Sequence, residues 1–279
     1  MQQQSGELLK LALDGNINAF QELFSQFQNQ LKSYLHRLLA NRNDAEDLTH
    51  DTFIKAYDKL ATFRGESSLK TWVFQIATHL AYNYLEKRKR WVPDVKKKAK
   101  ELVLGNQKVY EDIVRVSQTS PHAVFDMKEH IDTCFTCMAK NLPIEHQIAL
   151  MLKDVYDFSV ADICLILDKT EGVVKYLLQD ARKTMMDIFD NRCALINKEG
   201  VCNQCSELNG WFNPKQNQQE ALMQLDLVKA SKKFNREELY NLRTQLIKVI
   251  DPLRSNGADL QEMLLKCNRM VMGEEVVPV

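Results

Sequence analysis

Apolar residues recur every three or four positions through most of this 279-residue chain, and the alternation that marks a β-strand does not persist anywhere. A spacing of three and four places side chains on one face of an α-helix. The pattern covers residues 5–90, where Gly15 and Gly65 are the main breaks, and it returns at 128–190 and 215–272. The sequence therefore predicts an all-α fold built from several helical blocks.

Charge is balanced over the whole chain but not along it. The 37 basic and 37 acidic residues cancel, so the overall composition does not indicate a nucleic-acid partner. Between Glu86 and Glu101, however, the stretch EKRKRWVPDVKKKAKE carries eight Lys or Arg against three acids, and Pro93 interrupts the helical pattern. Charge runs and proline are typical of loops, which predicts a basic, flexible linker here. The predicted domains are 1–90, the linker 91–127, 128–190, and a C-terminal extension at 191–279.

Neither the apolar runs nor the N-terminal stretch indicates a membrane or secreted protein. No apolar run approaches the ~20 residues that cross a bilayer, and the opening MQQQSGELLK lacks the basic and apolar parts of a signal peptide. We therefore expect a cytoplasmic protein without a membrane partner.

Four carboxylates form a stripe along the predicted helix NDAEDLTHDTFIKAYDKL (43–60). At 100° per residue the apolar side chains share one side and the acids share another. The acids are Asp44, Asp47, Asp51 and Asp58. A solvated helix face would have the same pattern, and a docking surface for a basic partner is the alternative.

The next helix, within GESSLKTWVFQIATHLAYNYLEKRKR (65–90), combines amides, an imidazole, aromatic rings and cations. Its polar side carries Gln75, His79, Asn83, Lys87 and Arg90, opposite an apolar core stripe. Amides and imidazole can hydrogen-bond base edges, cations meet phosphates, and rings stack on unpaired bases, so the mixture suits single-stranded DNA. Trp72 and Phe74, each taken alone, are more typical of a protein core than of a stacking platform for bases.

A third motif lies at 141–185, NLPIEHQIALMLKDVYDFSVADICLILDKTEGVVKYLLQDARKTM. Pro143 stands near a helix start, a turn is predicted at Tyr156–Ser159, and a second helix opens at Thr170 after a further turn. This spacing fits a helix-turn-helix whose later helix enters the major groove, although a plain helical hairpin has a similar pattern.

Together these three segments resemble the extracytoplasmic-function (ECF) sigma factors of bacterial RNA polymerase, over residues 7–190. The resemblance implies that 1–90 is the family's region two and 128–190 its region four. It implies that Asp47, Asp51 and their stripe face the beta-prime coiled coil of core polymerase and that region four meets the beta flap. It also implies that the loop Phe63–Leu69 captures a flipped promoter base, and that the linker follows the active cleft and RNA-exit path. The implied minus-ten contacts are Phe63, Arg64, Ser67, Ser68, Lys70, Trp72, Gln75, His79, Asn83, Lys87, Arg88 and Arg90. The implied minus-thirty-five contacts are Lys169, Thr170, Glu171, Lys175 and Arg182.

The sequence departs from the family at its recognition helix. Family members commonly have Thr-Val-Lys-Ser-Arg where this chain has GVVKYL (172–177), and Leu177 and Leu178 are apolar where a DNA contact would lie. The departure predicts weak reading of a minus-thirty-five element. It motivates the hypothesis that an auxiliary DNA-targeting protein, including an RNA-guided one, supplies promoter affinity; an anti-sigma protein is a further candidate partner.

The second departure is the extension at 191–279. Its segments EALMQLDLVKASKKF and REELYNLRTQLIKVI are amphipathic, which predicts helices that cover region four as a structural cap or dock a partner.

Two CxxC pairs, DTCFTC and GVCNQC, occur among seven cysteines. The odd number and the absence of a secretion signal favour metal or reduced thiols over disulfides. We predict structural zinc on Cys134, Cys137, Cys202 and Cys205, with Cys193 as an alternative ligand. Buried packing residues or a redox pair are the alternatives, and packing is expected for Cys164 and Cys267.

These features predict a sigma factor that opens promoter DNA by binding energy and is not an enzyme. The alternatives are a standalone helix-turn-helix regulator, which needs no acidic stripe, and a zinc- or thiol-sensing regulatory protein.

Overall fold

The computed structural model describes residues 2–197 and 199–278, and fifteen α-helices build that part of the chain. Their bounds are α1 (Gln2–Leu13), α2 (Ile17–Leu39), α3 (Arg42–Asp58), α4 (Leu69–Glu86), α5 (Val95–Gly105), α6 (Gln107–Thr119), α7 (Met127–Ala139), α8 (Ile144–Leu150), α9 (Val160–Leu167), α10 (Glu171–Arg192), α11 (Gln204–Phe212), α12 (Gln218–Met223), α13 (Asp226–Ala230), α14 (Arg236–Lys248) and α15 (Ala258–Val271). A 3₁₀ turn spans Leu60–Thr62 and a π-helical turn spans Met151–Val155. In the described residues the one extended pairing is a bridge between Cys193 and Cys202. The predicted all-α fold is confirmed.

Helices α1, α3 and α4 pack around α2. Local capping residues fix where α2, α3 and α4 begin. Asn16 caps α2 by accepting from the Ala19 amide at 3.1 Å, Asn41 caps α3, and the Ser68 hydroxyl accepts from the Thr71 amide at 3.0 Å to cap α4. Each such cap satisfies an amide that the helix itself leaves unpaired. Gly15 adopts a φ of +93° between α1 and α2, as its predicted role of helix break requires.

The predicted helix-turn-helix is present as α8, α9 and α10. Ser159 and Asp162 form a capping box at the start of α9, and Asp168, at a φ of +53°, ends that helix in the left-handed conformation. Helix α10 begins directly after Thr170, where the sequence placed it.

The prediction of a flexible linker over 91–127 is wrong, because most of this segment folds as α5 and α6. Apolar residues four positions apart, Val95, Ala99 and Val103, form a buried stripe, and α5 and α6 pack against α15 of the extension. Trp91 is fully buried, and its indole N–H donates to Glu274 Oε1 at 2.8 Å. The charge run obscured this stripe, whose partner helix lies about 160 residues later in the chain.

The extension packs on α5, α6, α7 and α10, and its role as a structural cap or as a docking site for a partner stays a prediction. Helix α14 packs on α7, α10 and the π-helical turn, while α15 packs on α5, α6 and α7. Lys140 donates to the carbonyls of Leu38 and Leu39 at 3.2 and 3.3 Å, so a cation lies at the C-terminal end of α2.

Candidate polymerase and promoter surfaces

The acidic stripe on α3 divides into an exposed part and an engaged part. Asp47, Asp51 and Asp58 are exposed, whereas Asp44 accepts a hydrogen bond from the Tyr84 hydroxyl and lies 3.6 Å from Arg88. Burial, together with the Asp44 carboxylate, raises the pKa of Tyr84, which keeps that hydroxyl protonated and able to donate. The available surface is therefore a three-carboxylate stripe, and Asp44 instead joins α3 to α4.

The polar side of α4 is open only in its second half. His79, Asn83 and Lys87 are exposed. Gln75 donates through Nε2 to the Leu165 carbonyl at 2.8 Å, and Arg90 donates to Gln147 Oε1 at 2.9 Å. The exposed half presents an imidazole, an amide and an ammonium group to solvent, a set able to contact bases and phosphate.

Region four covers the first half of that side. The Thr71 hydroxyl donates to Asp162 Oδ1 at 2.9 Å, and Lys70 lies over the Phe158 ring with Nζ 4.8 Å from its centroid. Burial lowers the pKa of Lys70, although Asp162 and Asp157 oppose the shift. Because α9 packs against α4 here, Lys70 and Gln75 are engaged within the chain.

Two aromatic side chains pack against each other where the loop before α4 meets that helix. Phe63 and Trp72 are half-buried, with ring centroids 5.4 Å apart, and Gly65 turns the chain with a φ of +73°. Arg64 and Ser68 are exposed while Ser67 is half-buried. The sequence assigned DNA contacts to all of them, but Ser68 also caps α4, so its hydroxyl already has a structural role.

The predicted minus-thirty-five contacts near the start of α10 differ in exposure and in ion pairing. Thr170, Glu171 and Lys175 are exposed, but Lys175 lies 2.6 Å from Glu171, and Lys169 lies 3.1 Å from Glu145. Lys175 is therefore paired within the exposed surface at this helix start.

Arg182 lies on a different surface, where Asp154 accepts from both Nε and Nη2 at 2.9 and 2.5 Å. Tyr240 of α14 donates to the same carboxylate at 2.8 Å. Arg182 is therefore paired within region four, and Asp154 joins this pair to the extension through Tyr240.

Sequence reasoning misjudged the apolar residues of α10. Leu177 and Leu178 are buried and belong to the core, so they do not interrupt a DNA-facing surface. Val173 and Tyr176, three positions apart, are instead exposed, Tyr176 at 61%. The three-residue spacing of these two side chains could have identified them as a pair on one face.

The structure gathers four of the candidate zinc ligands and leaves one aside. Cys134, Cys193, Cys202 and Cys205 line one cavity. Cys137 is buried elsewhere, and its sulfur accepts from Asn268 Nδ2 at 3.3 Å. Among residues 2–197 and 199–278, no three Cys, His, Asp or Glu side chains already converge to hold a metal ion.

Two family models match the chain, Sigma-70 region 2 over residues 23–91 and Sigma-70 region 4 over residues 132–185. The ECF RNA polymerase sigma-E factor of Haemophilus influenzae is 28% identical over 176 residues, which are 63% of this chain and 90% of that protein. The ECF RNA polymerase sigma factor SigW of Bacillus subtilis is 24% identical over 177 residues, 63% of this chain and 92% of that protein. Among solved structures, a chain of the sigma factor RpoE complex with the anti-sigma factor NepR from Bartonella quintana aligns over 61% of this chain and 96% of its own length, with 21% identity and a TM-score of 0.43.

The paired region-two and region-four matches, in that order, define a sigma-70-type transcription initiation factor, and the chain belongs to that class. Within the class it belongs to the extracytoplasmic-function sigma factors, whose curated members it matches over nearly their whole length. Core RNA polymerase and promoter DNA are the partners that this family implies. Residues 92–131 and 186–279 lie outside both family models. No helix in the described ranges has the length and apolarity needed to span a bilayer.

Proposed function

We propose that the exposed stripe of Asp47, Asp51 and Asp58 is the surface that binds the beta-prime coiled coil of core polymerase. The observation that carries this proposal is the separation of the two sides of α3. Ala45 and Ala56 are fully buried on one side. The three carboxylates are exposed, and they form no hydrogen bond or ion pair with other described residues. Exposed like charges repel one another in the free protein, and a basic partner surface relieves that repulsion.

Promoter melting is assigned to the exposed half of α4 and the loop before it. His79, Asn83 and Lys87 contact the separated strand, and the Phe63 and Trp72 rings form the wall against which an unstacked base is held. The chain contributes no covalent chemistry in this scheme. DNA opening is driven by contacts that the chain makes only to single-stranded DNA. The protein works in the cytoplasm, where polymerase and chromosome are located.

Release of region four completes the promoter surface. In the structure, which we call the closed form, Thr71 and Gln75 bond to α9 and Lys70 lies over Phe158 just before that helix. We propose that polymerase separates the two regions by binding α3 through its beta-prime coiled coil and α8 to α10 through its beta flap. Lys70 and Gln75 then become available to DNA.

Upstream reading is weak in this scheme, because Lys169 and Lys175 both have acidic neighbours. The exposed pair Val173 and Tyr176 offers an apolar contact instead. This supports a role for a protein partner at region four, either one that brings the factor to DNA or one of anti-sigma type that keeps the closed form.

The direct test is size-exclusion chromatography of the chain with purified core polymerase and no DNA. We expect co-elution as one complex, and no stable binding of promoter DNA by the chain alone. A chain that binds promoter DNA tightly by itself and elutes apart from polymerase would instead be a standalone helix-turn-helix regulator.

A further inference from the structure

Four cysteines from three separate segments meet at one cavity of about 310 Å³. Cys134 comes from α7, Cys193 follows α10, and Cys202 and Cys205 come from the GVCNQC turn that leads into α11. The cavity thus lies where the region-four helices meet the extension, outside both polymerase- and promoter-binding surfaces.

Backbone pairing fixes two of these cysteines side by side. The Cys202 amide donates to the Arg192 carbonyl at 2.8 Å, and the Ala194 amide donates to the Cys202 carbonyl at 3.1 Å. Gly200 approaches this pairing so closely that a Cβ there would lie 2.7 Å from the Ala194 nitrogen. The turn is therefore built around the cysteine pair and excludes a larger residue at 200.

Lys96 supplies an independent observation. Its Nζ is buried, lacks a hydrogen-bond partner in the described chain, and lines the same cavity. A buried ammonium group without a counter-charge is strongly unfavourable. Negative charge on the sulfurs that line the cavity with Lys96 would stabilise this cation.

Protonated thiols are neutral and give the ammonium group no counter-charge. A metal ion resolves the conflict, because it replaces the thiol protons and leaves an anionic cluster beside the ammonium group.

We propose that Cys134, Cys193, Cys202 and Cys205 bind one Zn²⁺ as thiolates, with Lys96 as the charge partner of the cluster. Four thiols release four protons, and the product has a net charge of two minus, which Lys96 partly offsets. The thiols move together from their positions around the cavity when the ion enters. Tetrahedral four-sulfur coordination is the usual form of a structural zinc site.

This set replaces Cys137 of the sequence prediction with Cys193. Cys137 is one helical turn from Cys134 but accepts from Asn268 in the core, and it does not line the cavity. His130 does line it, and its Nε2 is buried without a partner. Burial, followed by the charge of Lys96, lowers the pKa of His130 to about 3, so this imidazole adds no positive charge to the cluster.

The test uses the full chain purified without chelator. We expect about one zinc per chain by metal analysis, and cobalt substitution should give the absorption of a tetrahedral four-thiolate ion. Cys202→Ser/Cys205→Ser should lose the metal, whereas the matched control Cys137→Ser/Cys267→Ser should keep it. Circular dichroism of each variant checks that the helices still form.

Three further variants distinguish the metal ligands from the residues beside them. Lys96→Met should weaken zinc binding about 10- to 100-fold in a chelator competition, as loss of an outer partner usually does, and Lys97→Met, on the same helix and exposed, should not. His130→Asn should keep the cobalt thiolate spectrum unchanged.

Wild-type protein without zinc, a disulfide among these cysteines in protein kept under reducing conditions, or metal kept by Cys202→Ser/Cys205→Ser would overturn the proposal. Loss of metal in His130→Asn would overturn the four-thiolate set. Because the wild-type metal content and cobalt spectrum do not depend on any variant, the proposal can fail even if a variant does not fold.

Discussion

At the scale of single residues, neighbouring acids on one helix have different roles because they meet different surroundings. Asp44 is held by Tyr84 and Arg88, and it joins two helices. Asp47 and Asp51, three and seven positions later, are exposed. Changes at the second pair therefore test partner binding, whereas changes at Asp44 would also disturb packing.

Reversing the exposed pair should abolish polymerase binding. Asp47→Lys/Asp51→Lys places two cations where the account requires anions, which removes attraction and adds repulsion to a basic surface. We expect at least a tenfold loss of affinity for core polymerase in a titration, with far-ultraviolet circular dichroism unchanged because both side chains are solvent-facing. Glu101→Lys/Glu111→Lys makes the same change in net charge at exposed positions of α5 and α6. Equal weakening by both double variants would mean that binding depends on the net charge of the chain and not on the stripe.

The exposed half of α4 should affect DNA opening and not polymerase binding. His79→Ala/Asn83→Ala removes side chains that contact DNA in this account, and each lost contact to DNA weakens only the open complex. We expect about tenfold fewer heparin-resistant open complexes at unchanged affinity for core polymerase. Asn241→Ala/Gln245→Ala repeats the four-residue spacing on the exposed side of α14 and should leave both quantities unchanged. Wild-type levels of open complex in the first variant would mean that another face of the helix meets the strand.

At the scale of helices, the segment between the two sigma regions is the main surprise, because it is folded against the extension. Ala99 is 5% exposed in the core shared by α5 and α15. Leu104, on the same helix, is 73% exposed. The two positions allow the packing of α5 to be tested without changing its lysines.

Ala99→Glu should release α5. A buried carboxylate without a partner costs more than about 2 kcal/mol, so trypsin should cut at the exposed Lys97, Lys98 and Lys100 far faster than in the wild-type protein. Leu104→Glu adds the same group in solvent and should leave cleavage slow. Rapid cleavage of the wild-type protein at these lysines would mean that the segment is flexible after all.

Local patterns predicted much of this architecture. Helix periodicity, the breaks at Gly15 and Gly65, and the turn before Val160 depend on residues close in sequence, and all of them are confirmed. The linker prediction failed because the main partner of the apolar stripe of α5 is α15, which is distant in sequence. A charge run with proline has the same local signature whether it packs or not. Contacts such as Arg182 with Asp154 and Lys70 with Phe158 likewise depend on tertiary packing, which single-helix periodicity does not specify.

At the scale of the whole molecule, one buried arginine connects all three parts. Arg37 of α2 donates to Asp132 Oδ1 at 2.9 Å, to the Tyr156 hydroxyl at 2.6 Å, and to the Ile250 carbonyl at 2.8 Å. Burial raises the pKa of Asp132, and the Arg37 guanidinium opposes that shift. Since the ion pair is buried, each partner depends on the other for its counter-charge.

Arg37→Met should lower the free energy of unfolding by about 3–5 kcal/mol, the usual cost of leaving one member of a buried ion pair without its partner. Urea unfolding followed by circular dichroism measures this change. Arg115→Met, at a surface pair with Asp112, should cost less than about 1 kcal/mol. The double variant Arg37→Met/Asp132→Leu should recover part of the loss, and full additivity of the two single variants would show that the two side chains do not interact.

This chain gives core polymerase the ability to start transcription at particular promoters. In vitro transcription of sheared genomic DNA by purified core polymerase, with transcript 5′ ends mapped by sequencing, measures that ability directly. We expect a defined set of 5′ ends that requires the wild-type chain and is absent with Asp47→Lys/Asp51→Lys. An identical set of 5′ ends with core polymerase alone, or with both forms of the chain, would contradict it.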